Sequence, residues 1–328
     1  MNELFADAEK AGRCVVGEDD TTRAKLRRRV KSGEAVCPYR TLYARAEYWN
    51  GLNAVEKTQH VVASLARRHT QWVFAGLSAA AMLGIDHSWS LHDDGAVTIA
   101  TQGSCHSVKG YRKLRRIYMP SIPTQEVLYR GQKIHVTTVA RTLVDCGLSM
   151  PFMFALALFD SAFRRQLVTE DEIVAVCDGK KDACGPVFRL LHYADPLSEN
   201  GGESLCRAVI IEEGFAIPEL QHVFVDPDNP INQYRVDYVW HCPDGRIVVL
   251  EYDGVRKYVD GSMTRDRTVA ELVSNERSRE MGLRRAGVHE IVRVFHHEVV
   301  DRTSLVMKLE RAEVPHADMR YSLYERQA

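Results

Sequence analysis

The segment from Tyr234 to Tyr258, YRVDYVWHCPDGRIVVLEYDGVRKY, leaves little freedom in local structure. Two runs rich in β-branched and aromatic residues, Tyr234 to Cys242 and Arg246 to Tyr252, flank Pro243, Asp244 and Gly245. Proline suits the first position of a type I turn, and glycine supplies the left-handed residue that closes it with a bulge. A three-residue hairpin loop of this kind pairs Cys242 with Arg246, and counting outward sets Asp237 opposite Glu251. Facing residues of an antiparallel pair project to the same side, with Cβ atoms about 5 Å apart. Asp253, two residues beyond Glu251, points there too. Three carboxylates therefore meet beside the apolar run Ile247 to Leu250. Like charges at that spacing do not stay ionised together without a cation. Oxygen-only ligands with room for water suit Mg²⁺ or Mn²⁺. The chemistry that uses such a site is phosphodiester hydrolysis, in which the metal polarises the phosphate and activates water. The alternative is a surface hairpin with a scattered acidic edge.

With 328 residues the chain has room for two or three domains, each with its own core. Its 43 lysines and arginines balance 44 aspartates and glutamates, so any nucleic-acid binding has to come from local patches. The eight cysteines lie far apart with no CxxC pair, which argues against zinc ribbons and disulfide frameworks. Scattered thiols, no signal peptide and no apolar run of transmembrane length lead to the expectation of a cytoplasmic protein without a membrane partner.

The first such patch lies near the start. A short helix over residues 1 to 13 places Leu4, Phe5 and Ala8 on one face. After Gly17, any of Asp20, Thr21 or Thr22 is expected to cap a second helix with Leu26 and Val30 inward and Gly33 past its end. Its outer face carries Arg23, Lys25, Arg27, Arg28, Arg29 and Lys31 without an intervening acid. An extended segment, Ala35 to Ala46, follows. Short helices, a basic helix and a small β-wing form the order of a winged helix-turn-helix, whose basic helix enters the major groove of DNA. The alternative is a solvated charged face, although such faces usually mix signs.

In the middle region, AVEKTQHVVASLARRH predicts an amphipathic helix, and WVFAGLSAAAMLGI a strand running into a small-residue helix. Ala96 to Ala100 and Ile134 to Thr137 are expected strands. Between them a second basic tract holds Lys109, Arg112, Lys113, Arg115 and Arg116, interleaved with Tyr111 and Tyr118. The tyrosines either stack on bases or pack with wet hydroxyls. A helical stretch broken at Pro151 supplies core. Past a linker between Asp195 and Gly202, a helix begins at Glu203 with Leu205, Ala208, Val209 and Ile211 inward and Gly214 beyond its end. Arg207 stands one turn after Glu203, the spacing of an i,i+4 ion pair. Helix, three strands, helix, strand makes a mixed sheet flanked by helices.

The pieces GESLCR, PELQ (218 to 221), RVDYVW, LEYDGVRKY, NERSRE and IVRVF follow in that order. In this the C-terminal third resembles the very-short-patch-repair-like branch of the PD-(D/E)XK, or restriction-endonuclease-like, superfamily. The resemblance implies metal ligation by Glu203, Asp237 and Glu251. It also implies a catalytic lysine two residues after that last glutamate, where this chain has Asp253. Asp253 is then an added metal ligand, and Lys257, past Gly254, is the substitute for orienting water. RAKLRRRVKSGEAV, GLSAAAMLGI and VARTLVDC give the N-terminal two thirds a resemblance to AbiEi-type antitoxins of type IV toxin–antitoxin systems, which implies a DNA-binding autorepressor and a cognate toxin as partner.

The expectation is a mixed α/β chain in three parts: a winged helix over 1–50, an antitoxin-like α/β region over 51–190, and a nuclease-like domain over 191–328. Its expected role is DNA binding with Mg²⁺- or Mn²⁺-dependent phosphodiester hydrolysis, in a phage-defence, toxin–antitoxin or DNA-repair setting. The alternatives are a non-enzymatic regulator or antitoxin with an inactive nuclease-like fold, and a metal-free module whose acidic cluster binds a basic partner.

Overall fold

The computed structural model describes residues 1–103, 113–180, 183–253 and 269–317. The fold is mixed α+β, as expected, with three sheets among the described residues. The chain divides into two compact units. Residues 1–150 and 166–187 form the first, and residues 151–165 and 188–328 the second.

The first unit opens with helix α1 (Asn2–Lys10), strand β1 (Val15–Val16), helix α2 (Asp20–Lys31) and strands β2 (Ala35–Tyr39) and β3 (Leu42–Arg45). The strands form an antiparallel sheet in the order β1-β3-β2. The cap of α2 is Asp19, one residue before the expected candidates, and its side chain accepts from the Thr22 N–H at 2.8 Å. Leu26 is fully buried and Val30 packs against Phe5, Val15, Ala35 and Tyr43. These contacts fix the inward stripe and turn the basic residues outward.

Helices α3 (Ala46–Gly51) and α4 (Ala54–Arg68), strand β4 (Val73–Phe74) and helix α5 (Gly76–Leu83) follow. After a 3-10 turn over Trp89–His92 come β5 (Val97–Gln102), β6 (Leu114–Met119), β7 (Thr124–Tyr129) and β8 (Gln132–Thr137). They make a five-stranded mixed sheet in the order β6-β5-β4-β8-β7, with β6 at one edge. Its core joins Val61, Val62 and Leu65 of α4 to Phe74, Val97, Ile99, Ile134 and Val136. Helix α6 (Val139–Ser149) and, later in the chain, α8 (Glu170–Asp178) complete the unit.

The second unit takes α7 (Phe152–Arg164), the C-terminal part of α9 (Gly185–Tyr193), α10 (Gly201–Glu212), β9 (Glu219–Val225), β10 (Gln233–His241) and β11 (Ile247–Asp253). It ends with α11 (Val269–Arg285), β12 (Glu290–Phe295), α12 (His296–Asp301) and α13 (Thr303–Arg311). The sheet order is β12-β11-β10-β9, with β12 parallel to β11 and the other pairs antiparallel. Helix α10 is buried on all sides from Glu203 to Ile211, so it is an interior helix. It is locked to α7 by Arg207, which donates to both oxygens of Asp160 at 2.7 Å and to the Tyr193 carbonyl at 2.6 Å. This is why α7 groups with the second unit. On the other side, α11 approaches β10 so closely that a Cβ at Gly282 would collide with the ring of Tyr234.

Candidate metal centre and nucleic-acid interface

The hairpin forms in the expected register. The Cys242 N–H donates to the Arg246 carbonyl at 2.8 Å and Gly245, at φ +87°, donates to the Cys242 carbonyl at 2.9 Å. The ladder then runs from His241 and Ile247 to Tyr238 and Leu250. One step further, at Asp237 and Glu251, the pattern changes: the Tyr252 N–H donates to Oδ2 of Asp237 at 2.8 Å.

The opposite side of β10 changes at the same residue. Pairs Val236–His222 and Tyr238–Leu220 are formed, but the intervening Asp237–Gln221 pair is not, and Gln221 has a left-handed φ of +53°. Regular alternation sends residues three apart to opposite faces. Yet Val236 and Val239 pack into one apolar cluster with Leu283 and Val288. The pleat therefore slips by one residue here. Gln221 leaves the ladder, and its Nε2 donates to Oε2 of Glu203 at 3.2 Å. Its Oε1 is buried with no hydrogen-bond partner.

Glu203 enters from the first turn of α10. Asn200 caps that helix through the N–H groups of Gly202 and Glu203, at 2.9 and 3.0 Å. Gly202 has no room for a side chain, because a Cβ would meet the ring of Tyr252. Tyr238 donates its hydroxyl to the Glu203 carbonyl at 2.7 Å, tying the helix start to β10. The carboxylate accepts from the Glu199 N–H at 2.8 Å and from Asn200 Nδ2 at 2.5 Å. Burial pushes this carboxyl up to about 7 against the opposing Glu199 N–H, and the Asp237 charge adds to the rise. The i,i+4 pair with Arg207 does not form, since that guanidinium is engaged with Asp160.

Glu251 is paired with Arg279 of α11, whose Nη2 also donates to the Arg235 carbonyl at 2.6 Å. Asp253 is buried at the end of β11. Lys257 lies outside the described residues. Glu203, Asp237, Glu251 and Asp253 are not drawn to a common ligand spacing. Among the described residues the three groups that are so drawn are Glu219, His222 and His241, all within 4.8 Å of one another. Nothing in the sequence marks Gln221 or Arg279 as a contact of these carboxylates, although they fall inside PELQ and NERSRE. The four carboxylates are oxygen donors, the type a hard cation takes, and the unpartnered Oε1 of Gln221 lies buried on a side chain bonded to Glu203.

The basic tracts separate into tied and untied residues. Arg23 pairs with Asp20 at 3.1 Å, and Arg29 donates to Asn2 at 2.8 Å and sits over the ring of Phe5. Lys25, Arg27, Arg28 and Lys31 are exposed and have no ion-pair partner among the described residues. In the second tract Lys113 donates to the Pro38 carbonyl at 2.9 Å and Arg115 pairs with Asp94, while Arg116 is exposed on the edge strand β6. Lys109, Arg112 and Tyr111 lie outside the described residues.

No protein-family model matches the chain. It is similar to two uncharacterized proteins of Mycobacterium tuberculosis, from strains CDC 1551 and H37Rv. Each is 31% identical over 135 residues, covering 40% of this chain and 48% of the relative. The matched stretch thus spans about half the length of these curated relatives. No helix among the described residues is long and apolar enough to cross a membrane.

Proposed function

We propose that the protein binds DNA and hydrolyses phosphodiester bonds at the end of the β10–β11 hairpin. The observation that carries this reading is the hairpin register up to Tyr238 and Leu250, past which the Asp237 side chain accepts from the Tyr252 N–H next to Glu251, with buried Glu203 joined to β9 through Gln221. Mg²⁺ or Mn²⁺, held by Glu203, Asp237, Glu251 and Asp253, would polarise the phosphate and lower the pKa of a bound water. Burial and the Asp237 charge raise the Glu203 carboxyl, and a cation bound between them would favour its ionised form. Arg279 offsets the charge of Glu251 and would meet a phosphate oxygen when that pair opens. The untied cations of α2 would hold the duplex backbone, and a winged helix-turn-helix is the arrangement that supports this role. The test is incubation of pure protein with supercoiled plasmid, with and without Mg²⁺ or Mn²⁺. Metal-dependent nicking that Asp237→Asn and Glu251→Gln each remove is the expected result.

A second reading is a DNA-binding regulator or antitoxin without catalysis. It is favoured by Arg279 occupying Glu251 and by an aspartate, Asp253, in place of the usual lysine. Salt-sensitive duplex binding with no cleavage across several metals and substrates would select it.

A further inference from the structure

We propose that Glu219, His222 and His241 form a binding site for a Zn²⁺-class divalent cation, bridging the edge strand β9 to β10. The inference rests on these three residues and stands or falls apart from the phosphodiesterase reading. His222 Nδ1 lies 2.6 Å from Oε1 of Glu219, and His241 Nε2 lies 3.7 Å from Oε2 of the same carboxylate. The two imidazole rings are 5.6 Å apart at 71°. Zinc bonds of roughly 2.0–2.1 Å in a tetrahedral site put ligand atoms about 3.3 Å apart. The two carboxylate–imidazole separations lie on either side of that value, and all three ligand atoms lie within 4.8 Å of one another.

The backbone explains why the three meet. Glu219 is paired across the ladder with Val239, and His241 is two residues further along β10, on the same side. His222 is three residues from Glu219 and would point away in a regular strand. The left-handed turn of the chain at Gln221 brings it back beside Glu219. An ordinary surface ion pair joins one imidazole to one carboxylate; here two converge on a single carboxylate from two hydrogen-bonded strands. Two imidazole nitrogens and one carboxylate suit Zn²⁺ and its neighbours over Mg²⁺. The side chains of Glu219 and His241 are 54% and 53% exposed, so water can fill the remaining coordination positions. A cation there binds the folded chain alone and would staple β9 to the sheet.

The test uses the full, metal-free chain titrated with ZnCl₂ by calorimetry, and with Co²⁺ by absorption spectroscopy. One equivalent of Zn²⁺ should bind and raise the melting temperature, with Co²⁺ giving d–d bands and no thiolate charge-transfer band. His222→Ala and His241→Ala should each weaken binding by at least about tenfold, since loss of even outer-shell partners costs 10–100-fold. His135→Ala, in the first unit, should leave it unchanged. Four results would overturn the proposal: no Zn²⁺ binding by the wild type, unchanged affinity in both histidine variants at native circular dichroism, loss of binding in His135→Ala, or a thiolate band.

Discussion

The Tyr252 main-chain N–H donates to the side chain of Asp237, 2.8 Å away, where a regular hairpin would continue backbone to backbone. A side chain replaces a carbonyl in the ladder, and Asp237 thereby acquires a fixed orientation. Asp237→Asn keeps an acceptor oxygen, whereas Asp237→Ala leaves the N–H unsatisfied at a cost of about 1–3 kcal/mol. Urea denaturation should show that loss for Asp237→Ala and near wild-type stability for Asp237→Asn, with plasmid nicking absent in both. Equal stability of the two variants would remove the structural role.

The buried Asp160–Arg207 pair fastens α10 to α7. Burial leaves the Asp160 carboxyl above its ordinary range even beside Arg207. Asp160→Ala strands a buried guanidinium, and the expected loss is about 3–5 kcal/mol in urea unfolding. The double variant Asp160→Leu/Arg207→Met should recover most of it, because desolvating both charges is itself costly. A double variant as unstable as the single would show that the pair contributes through more than charge compensation.

A chain of hydrogen bonds in the first unit should give it an acid limit. His87 Nδ1 meets the Ile85 carbonyl at 2.7 Å, His87 Nε2 meets His92 Nε2 at 2.6 Å, and His92 Nδ1 meets the Thr58 hydroxyl at 2.9 Å. A carbonyl only accepts, so His87 carries its proton on Nδ1, His92 on Nε2, and Thr58 donates. Both rings are neutral in this arrangement. Burial lowers both, and His92 falls from 6.5 to about 4, with the neighbouring His87 adding to the shift. The unfolded chain binds the proton first, so this contribution is complete above pH 6.5 and disappears as pH falls towards 4. The His92 shift corresponds to about 3 kcal/mol. Thermal melting of the wild type should drop more steeply over that window than melting of His92→Gln; parallel profiles would rule this out.

Ion pairing within the α2 tract separates phosphate contacts from structural ones. Lys25, Arg28 and Lys31 are exposed, whereas Arg29 is held by Asn2 and Phe5. Alanine at those three positions should reduce the salt slope of duplex binding by roughly two to three units, at about 0.9 per lost contact. Arg29→Ala should instead lower stability with a smaller change in slope. A slope untouched by the triple variant would make this helix a solvated face.

The hairpin register was legible because loop length and the turn chemistry of Pro243 to Gly245 fix it locally. The buried stripe of α2 was legible for the same reason, since Leu26 and Val30 repeat at helical spacing. Arg207 was not: its partner lies 47 residues earlier, and sequence proximity pointed to Glu203 instead. Nor was the conformation of Gln221 visible, because a glutamine in a strand-like run carries no left-handed signal. Strand β7 went unread despite the short turn at Arg130 and Gly131, both at positive φ, which joins it to β8. Long-range charge pairing and tertiary override of local geometry account for these differences.

The left-handed backbone at Gln221 also bears on how this chain would respond to selection. A non-glycine residue in that region is disfavoured by about 1–2 kcal/mol, a cost that glycine at 221 would relieve. The same change deletes the amide that joins β9 to Glu203. Selection for thermal tolerance alone would therefore weigh relief of the backbone against that lost bond, whereas screening for the proposed activity as well would hold glutamine in place.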